Sequence, residues 1–245
     1  VRLDAPGETK PPPKAMLDRL AASIVYEDRL LLALNKPSGI AVHGGSGVSF
    51  GVIEGLRALR PDESFELVHR LDRDTSGVLI VAKKRSALLE LQALLREGED
   101  DEAPNKKYLT LLVGKMPSGT MTVEAPLQKS VLQGGERMVR VDQGGKPSVS
   151  HFSLIERRGG HSFCEVRIET GRTHQIRVHL SWLKHAIVGD TLYGPSQPRL
   201  PITRQFLHAH KLRIRLPQRG REVEFVAPLP TDLQELVDSL AELHQ

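Results

Sequence analysis

Two segments of this chain alternate apolar with charged side chains over eight residues each, and this pattern restricts the possible folds more than any other feature. In FCEVRIET the apolar positions include Cys164, Val166 and Ile168, and in HKLRIRLP they include Leu212 and Ile214. Successive side chains of a strand point to opposite faces, so the alternation predicts strands with one buried face. Such strands are typical of an antiparallel sheet that is covered on one side.

Strand patterns outnumber helix patterns along the chain and do not alternate regularly with them. Further strands are predicted for SIVYED, RLLLALNKP, FELVHRL, GVLIVAKK, KKYLTLLVG, TMTVEAP, RMVRVD and SVSHFSLIER. Helices are predicted for residues 16–23 and 52–59, after the possible caps Ser86 and Thr173, and from a capping-box pattern at Thr231 to Gln234. We therefore predict an α+β fold, in which a large mixed, mostly antiparallel sheet is covered by helices.

The first 15 residues are polar and contain KPPPK, a composition that is typical of a linker or tail. We expect residues 16–245 to form one domain, and the start at Val1 rather than at a methionine suggests a fragment or a processed chain. The only cysteine, Cys164, cannot form an internal disulfide, which fits a reducing cytoplasm. No apolar run approaches the roughly 20 residues of a membrane helix, so we expect no membrane partner.

Charge is distributed unevenly along the chain, although the formal net charge is only +4. Residues 199–221 contain seven lysines and arginines and no acidic residue, whereas residues 97–102 contain five acidic residues. A basic stretch in a protein whose positive and negative charges nearly balance indicates a phosphate-rich partner. A strand whose charged face meets solvent explains the stretch equally well. Aromatic residues make up 4% of the chain, too few for a broad base-stacking platform.

The stretch VHRLDRDTSG, from Val68 to Gly77, contains two aspartates two residues apart and is the strongest candidate for a chemical site. DTSG resembles the turn of aspartic proteases, but that chemistry needs two carboxylates that share one proton, hence a second copy of the turn or a dimer, and the chain has no second copy. A metal site is a second possibility, although no His-Glu-x-x-His or paired-cysteine spacing supports it and locally bonded histidines are favoured. Its possible ligands are His69, Asp72, Asp74, His174, His179, His208 and His210.

A third possibility is a single aspartate that acts as a nucleophile or a base beside an arginine. A carboxylate needs a nearby cation to stay ionised once a substrate excludes water. The candidate cations are Arg70, Arg73, Arg172 and Arg177. This chemistry uses a carboxylate, an arginine and an aromatic ring, without metal or cofactor. From the residues alone, a turn held by aspartate hydrogen bonds and ion pairs is an equally good explanation.

Four ordered motifs resemble the family of ribosomal large-subunit pseudouridine synthases. HRLDRDTSGVLIVAKK resembles its signature, KKYLTLLVG its Lys-x-Tyr motif, TGRTHQIRVHL with GDTLYG its third motif, and FLHAHKL its Leu-His-Ala segment. The resemblance extends from about Ile24 to Pro230, and NKPSGIAVHGGSGVSFGVIEGLRALRP is especially similar to the C subgroup. It implies the pseudouridine synthase fold and the isomerisation of specific uridines in 23S ribosomal RNA to pseudouridine.

The resemblance also implies roles for individual residues. Asp72 corresponds to the catalytic aspartate and Arg177 to the basic residue that pairs with it. Tyr108 corresponds to the aromatic residue that stacks on the target base, and Arg70 to the arginine that fills the space left by the flipped nucleotide. Asp74 is then expected to be structural, with its carboxylate accepting turn hydrogen bonds from the nearby backbone.

Further expectations concern cofactors and partners. The implied reaction needs no cofactor and no metal, and ribosomal RNA is the implied partner of a monomeric enzyme. Members of the subgroup usually carry a small S4-type RNA-binding domain before the catalytic domain, and this chain begins where that domain would end. A transfer-RNA substrate and a non-catalytic RNA-binding module of the same fold are the alternatives. The acidic EGEDDEAPN loop and the LRIRLP ending depart from the family pattern.

Overall fold

The computed structural model describes residues 11–45, 48–96, 105–131, 137–195, 200–216 and 221–242. Its helices are α1 (Lys14–Ala22), α2 (Val52–Leu59), α3 (Arg85–Leu94), α4 (Gln175–Trp182) and α5 (Thr231–Glu242). Its strands are β1 (Ile24–Glu27), β2 (Leu31–Lys36), β3 (Glu66–Leu67), β4 (Ser76–Ala82), β5 (Asn105–Val113), β6 (Thr120–Glu124), β7 (Leu127–Val131), β8 (Arg137–Val141), β9 (Val149–Arg158), β10 (His161–Ile168), β11 (Leu207–Leu216) and β12 (Arg221–Val226).

One large sheet organises the molecule, and its strand order is β1-β2-β4-β11-β5-β10-β9-β6. Strand β3 pairs with β4 and β12 pairs with β11, while β7 and β8 form a separate two-stranded sheet. In the described part of the chain, β4 and β11 form the one parallel pair, and the other strand pairs are antiparallel. The predicted α+β fold with a large mixed, mostly antiparallel sheet is confirmed.

The centre of the sheet is buried on both faces because helices cover both sides of it. All seven residues of β4 (Ser76–Ala82) are buried. On one side Val78 and Ile80 pack against α3, and on the other Leu79 and Val81 pack against α1 and α2. This double burial explains why VLIVA is a continuous apolar run and does not alternate.

The segment FELVHRL forms a shorter strand than its pattern predicts, since β3 contains only two residues. Just beyond β3, the imidazole of His69 accepts a hydrogen bond from the backbone N–H of Ile80 at 3.0 Å. The ring nitrogen takes the place of a backbone carbonyl of β3 as the acceptor for Ile80. The pairing of β3 with β4 therefore ends here, although the N–H group of Ile80 keeps a hydrogen-bond partner. Burial lowers the pKa of His69 to about 3, which keeps the ring neutral and able to accept.

The predicted helices exist, but their predicted N-caps are wrong. The residues at the N-caps of α3 and α4 are Lys84 and His174 rather than Ser86 and Thr173. Thr231 is the first residue of α5 rather than its cap, and the carbonyl of the preceding proline accepts the first helical hydrogen bonds. Sequence signals for a helix start are accurate only to about one or two residues, which is the size of these errors.

Parts of the predicted termini and loops lie outside the described residues. These parts are residues 1–10 of the expected tail and residues 97–104 of the acidic loop. Helix α1 already begins at Lys14, inside the segment that was expected to be a tail. In the described ranges no helix is both long and apolar enough to cross a membrane.

Candidate active site

All four candidate residues from the sequence line one cavity of about 80 Å³. Asp72 lies in the loop before β4, Tyr108 lies in β5, Arg177 lies in α4, and Arg70 lies two residues before Asp72. Two wider hollows of about 490 and 650 Å³ adjoin this cavity, and Gly171 lines all three spaces. The fold therefore brings residues from distant parts of the sequence to one opening.

Strand β11 brings the Asp72 loop and Tyr108 together from its two edges. Ala209 of β11 is in register with Gly77 of β4 on one edge and with Tyr108 of β5 on the other. The approach is so close that a Cβ atom at Gly77 would lie 2.2 Å from the carbonyl oxygen of Ala209. The backbone of Gly77 also has a φ of +117°, so glycine is the residue that fits this position.

A buried lysine anchors the loop that carries Asp72. The side chain of Lys36 is fully buried. Its Nζ donates to the carbonyls of Pro37, Ile40 and Arg73 at 2.9, 2.8 and 2.9 Å. Burial lowers the pKa of Lys36 to about 7, while the three carbonyl acceptors match the three protons of the ammonium form. Lys36 therefore ties the end of β2 to the loop in front of β4.

Asp74 has a structural contact, but it is made by the backbone rather than by the carboxylate. Its carbonyl accepts hydrogen bonds from Ser38 Oγ at 2.9 Å and from Arg204 Nη1 at 3.2 Å. Its side chain is 47% exposed and turned towards Arg73, whose Nε lies 4.0 Å from Oδ1. Among the described residues the carboxylate accepts no backbone hydrogen bond, so the predicted turn bonds to it are wrong.

Arg177 links two carboxylates inside the cavity. Its guanidinium forms two hydrogen bonds with Asp190, from Nε to Oδ2 at 2.7 Å and from Nη2 to Oδ1 at 3.0 Å. The remaining Nη1 group donates to Asp72 Oδ2 at 3.1 Å. Arg177 and Asp72 are therefore in contact, in the arrangement that the resemblance implies.

The Arg177–Asp190 pair is both buried and charged. The Asp190 side chain is 1% exposed and the Arg177 side chain is 8% exposed. Burial alone would raise the pKa of Asp190, but the hydrogen bonds and charge of Arg177 outweigh it and lower this pKa. The backbone N–H groups of Leu192 and Tyr193 each donate to Asp190 Oδ1 at 3.0 Å. Asp190 thus holds Arg177 so that its third donor points at Asp72.

The Tyr108 ring borders the central cavity and the 650 Å³ hollow beside it. Burial raises the pKa of its phenol, and the negative charge of Asp72 adds to the shift, so the hydroxyl stays protonated. Arg70 is exposed and borders the same two spaces. Both side chains are therefore accessible to a ligand that enters from this side.

Sequence reasoning missed two residues of the site, Asp190 and Tyr193, although both lie in the motif GDTLYG. Asp190 holds Arg177, and the Tyr193 ring lies 5.1 Å from the guanidinium carbon of the same arginine. The Tyr193 hydroxyl is 2.7 Å from Nδ1 of His174. A short Gly-Asp-Thr turn does not by itself indicate a buried ion pair, so the motif as a whole was the only signal in the sequence.

The matches to known proteins decide the family. Residues 30–182, more than half of the chain, match the family model described as RNA pseudouridylate synthase. The chain belongs to this family. The matched region of the synthase contains Asp72, Tyr108 and Arg177, whereas Asp190 and Tyr193 lie beyond its end.

Individual relatives resemble the synthase over most of its length. Ribosomal large subunit pseudouridine synthase C of Pasteurella multocida is 49% identical over 232 residues, covering 92% of this chain and 70% of that protein. The protein of the same name from Escherichia coli (strain K12) is 46% identical over 261 residues, covering 98% and 81%. The solved structure of human RNA Pseudouridylate Synthase Domain Containing 1 has a TM-score of 0.70 at 28% identity, covering 89% and 94%. Human RNA Pseudouridylate Synthase Domain Containing 4, at 24% identity with a TM-score of 0.74 and coverage of 93% and 96%, shows the shared fold alone.

The histidines that were considered as metal ligands in the synthase bond to other protein groups. His179 contacts Ser150 Oγ at 3.0 Å and the carbonyl of Ala125 at 2.9 Å, and His208 contacts Ser76 Oγ at 2.8 Å. Across the described residues, no group of three or more histidine, cysteine, aspartate or glutamate side chains could hold a metal ion. The candidate ligands therefore do not converge on one point.

The basic side chains Lys211 and Arg213 of β11 lie on the face of the sheet opposite to Tyr108. Lys211 is in register with Lys107 of β5, which lies on the opposite face from its neighbour Tyr108. Two glutamates of β12 lie opposite the strand, 3.7 Å from Lys211 Nζ and 3.8 Å from Arg213 Nη1. The interpretation as a solvated strand face therefore fits these two cations better than contact with a ligand in the cavity.

Proposed function

We propose that this synthase isomerises specific uridines of 23S ribosomal RNA to pseudouridine, with Asp72 as the catalytic group. One observation carries the proposal: the Asp72 carboxylate contacts Arg177 in a cavity that the Tyr108 ring also lines. Relatives at 46% and 49% identity are named ribosomal large subunit pseudouridine synthase C, which supports this choice of RNA.

The reaction moves C1′ of the ribose from N1 to C5 of the uracil. The N1–C1′ bond breaks, the base turns, the C5–C1′ bond forms, and the proton lost from C5 is balanced by one gained at N1. Asp72 supports these steps as a nucleophile at the sugar or as a base. Arg177 remains paired with the Asp72 carboxylate when bound RNA excludes water, and its positive charge offsets the loss of solvation.

The target uridine has to leave its stack before its reacting atoms reach Asp72. In the proposed complex Tyr108 supplies a ring for the extruded base, and one base–aromatic stack is worth about 1–3 kcal/mol. Arg70, exposed at the edge of the cavity, fills the space that the base leaves in the RNA. These roles use the four residues for which the resemblance implied a function.

We further propose that the synthase acts as a monomer in the cytoplasm, without metal or cofactor, and that residues from about 16 onward form its catalytic domain. A single chain supplies Asp72, Tyr108, Arg177 and Asp190, so the proposed site needs no second subunit. Cys164 is free and buried, which is consistent with a reducing compartment.

Release of tritium from RNA labelled at uridine C5 tests the proposed function, because the new glycosidic bond displaces the C5 hydrogen. We expect release from large-subunit ribosomal RNA in the presence of a chelator, and much less release from transfer RNA. Release from transfer RNA alone would reassign the substrate, and RNA binding without release would indicate a non-catalytic module. A metal requirement would contradict the proposed reaction without a metal.

The role of the Tyr108 ring predicts unequal effects of two substitutions. Tyr108→Phe is expected to keep RNA binding and most of the single-turnover rate, because stacking needs the ring rather than the hydroxyl. Tyr108→Leu is expected to lose about 5- to 150-fold in that rate, which corresponds to a stack of about 1–3 kcal/mol. Small and equal losses would refute the stacking role, and total loss for Tyr108→Phe would assign a role to the hydroxyl.

The positions of Lys129 and Lys146 predict that these two side chains bind RNA phosphates. Lys129 and Lys146 are exposed and line the 490 Å³ hollow beside the cavity. Their double replacement by glutamine is expected to flatten the slope of log affinity against log salt by about 0.7–0.9 for each phosphate that is no longer neutralised. The control, Lys211→Gln with Arg213→Gln on the opposite face, is expected to leave the slope unchanged. The reverse result would place the RNA on the basic strand.

A further inference from the structure

The backbone of His174 is held in the left-handed region beside the catalytic cavity. Its φ and ψ are 55° and 19°, at the N-cap of α4, and its side chain lines the cavity together with Asp72. A residue with a Cβ atom is strained in this conformation and keeps it only where surrounding contacts hold it. Strain of this kind concentrates at functional sites, so the left-handed backbone of His174 calls for a chemical explanation.

The contact with Tyr193 is the basis for assigning the proton of the neutral His174 ring to one of its two nitrogens. The Tyr193 oxygen accepts a hydrogen bond from the backbone N–H of Val139 at 2.9 Å and lies 2.7 Å from His174 Nδ1. Among the described residues, Nδ1 is the hydrogen-bond acceptor that contacts this oxygen, and we therefore assign the proton of the contact to the phenol, with Nδ1 as its acceptor. The proton of the neutral imidazole then resides on Nε2.

The Nε2–H group borders the cavity with no hydrogen-bond partner among the described residues. It lies 3.9 Å from Asp72 Oδ1, which is too long for a hydrogen bond. Burial lowers the pKa of His174, the charges of Asp72 and Asp190 raise it, and those of Arg177 and Lys129 lower it. The net direction is downward, so the ring is neutral and Nε2–H is free to bind a ligand.

We propose that His174 Nε2–H donates a hydrogen bond to a carbonyl oxygen of the target uracil and is a second catalytic residue of the isomerisation. This inference rests on the proposed function. When the N1–C1′ bond breaks, its electron pair stays with the uracil, and the negative charge spreads onto the two carbonyl oxygens. A donor that is already oriented stabilises this charge more than it stabilises the neutral base. A neutral ring does so without forming an ion pair with Asp72.

Chemical rescue of His174→Gly tests this assignment. Glycine adopts the left-handed backbone without strain, so the variant is expected to fold, and it leaves space for free imidazole. We expect the single-turnover rate on C5-tritiated ribosomal RNA to fall about 100-fold, the usual effect of losing one such donor, with little change in RNA affinity. Imidazole in the buffer is expected to restore part of the rate. 1-Methylimidazole, whose neutral form has no N–H group, is expected to restore none.

Tyr193→Phe provides a second test that does not depend on filling a vacated space. It keeps the ring beside Arg177 but removes the O–H group, and its rate is expected to fall because the proton is no longer held on Nε2. Thermal melting of both variants checks the fold. Equal rescue by the two imidazoles, or full activity of both variants, would overturn the inference. A wild-type protein that releases no tritium would instead refute the proposed function itself.

Discussion

Replacing Asp72 with asparagine is expected to abolish isomerisation while the fold and RNA binding remain. The amide has the size of the carboxylate, and its oxygen can still accept the 3.1 Å hydrogen bond from Arg177. It lacks the negative charge and the basic, nucleophilic oxygen, so we expect the single-turnover rate to fall by at least about 10⁴-fold, as when a catalytic nucleophile is removed. The measurement is tritium release under single-turnover conditions, with melting and RNA binding measured in parallel.

The matched control is Asp74→Asn, two residues along the same loop. The Asp74 carbonyl makes the structural contacts, and its half-exposed carboxylate lies 4.0 Å from Arg73 Nε. The substitution is therefore expected to cost less than about 1 kcal/mol of stability, as for other exposed ion pairs, and to leave turnover measurable. An active Asp72→Asn, or a folded but inactive Asp74→Asn, would reverse the assignment of the two aspartates.

Asp190→Asn is expected to cause the largest loss of stability among the substitutions considered. It removes the buried counterion of Arg177 and leaves that cation with Asp72, a more exposed partner. Breaking a buried ion pair by changing one partner costs about 3–5 kcal/mol, because the remaining charge is poorly compensated. Urea unfolding monitored by circular dichroism measures this change in the free energy of unfolding. A rate loss is also expected, since Arg177 is then free to move away from Asp72.

The matched control for Asp190→Asn is Glu66→Gln, which also converts a carboxylate of an ion pair into an amide. Glu66 is 3.2 Å from Arg85, and both side chains are considerably more exposed than those of the buried pair. Its loss is expected to cost at most about 1 kcal/mol. Equal destabilisation by the two substitutions would show that burial does not determine the strength of the Arg177–Asp190 pair.

The fold was predictable from the sequence where the alternation of apolar and charged residues matches the alternation of buried and exposed side chains. The alternation in FCEVRIET matches β10, where Cys164, Val166 and Ile168 are buried and Arg167 is exposed. The contact between Asp72 and Arg177 was implied by the ordered motifs of a known family rather than by pattern. These two residues are 105 positions apart, and no local periodicity relates them.

The sheet face of the basic side chains and the partner of Asp190 depended on tertiary structure, which a linear sequence pattern does not contain. The alternation in β11 shows that Lys211 and Arg213 share a face, but not which face meets the cavity. A register shift between Ala209 and Lys211 helps to set that face. In the same way, Asp190 is indistinguishable from a turn aspartate until α4 places Arg177 beside it. Pairing across the fold, rather than residue type, determines the role of each of these side chains.

Nucleoside analysis of an unmodified large-subunit ribosomal RNA transcript, digested after incubation with the protein, tests the central claim most directly. With the wild-type chain and a chelator present, we predict that uridine decreases and pseudouridine increases by the same amount. With Asp72→Asn, neither nucleoside is expected to change. No pseudouridine from a wild-type chain that binds the transcript, or pseudouridine formed by Asp72→Asn, would contradict the proposed function and its catalytic residue.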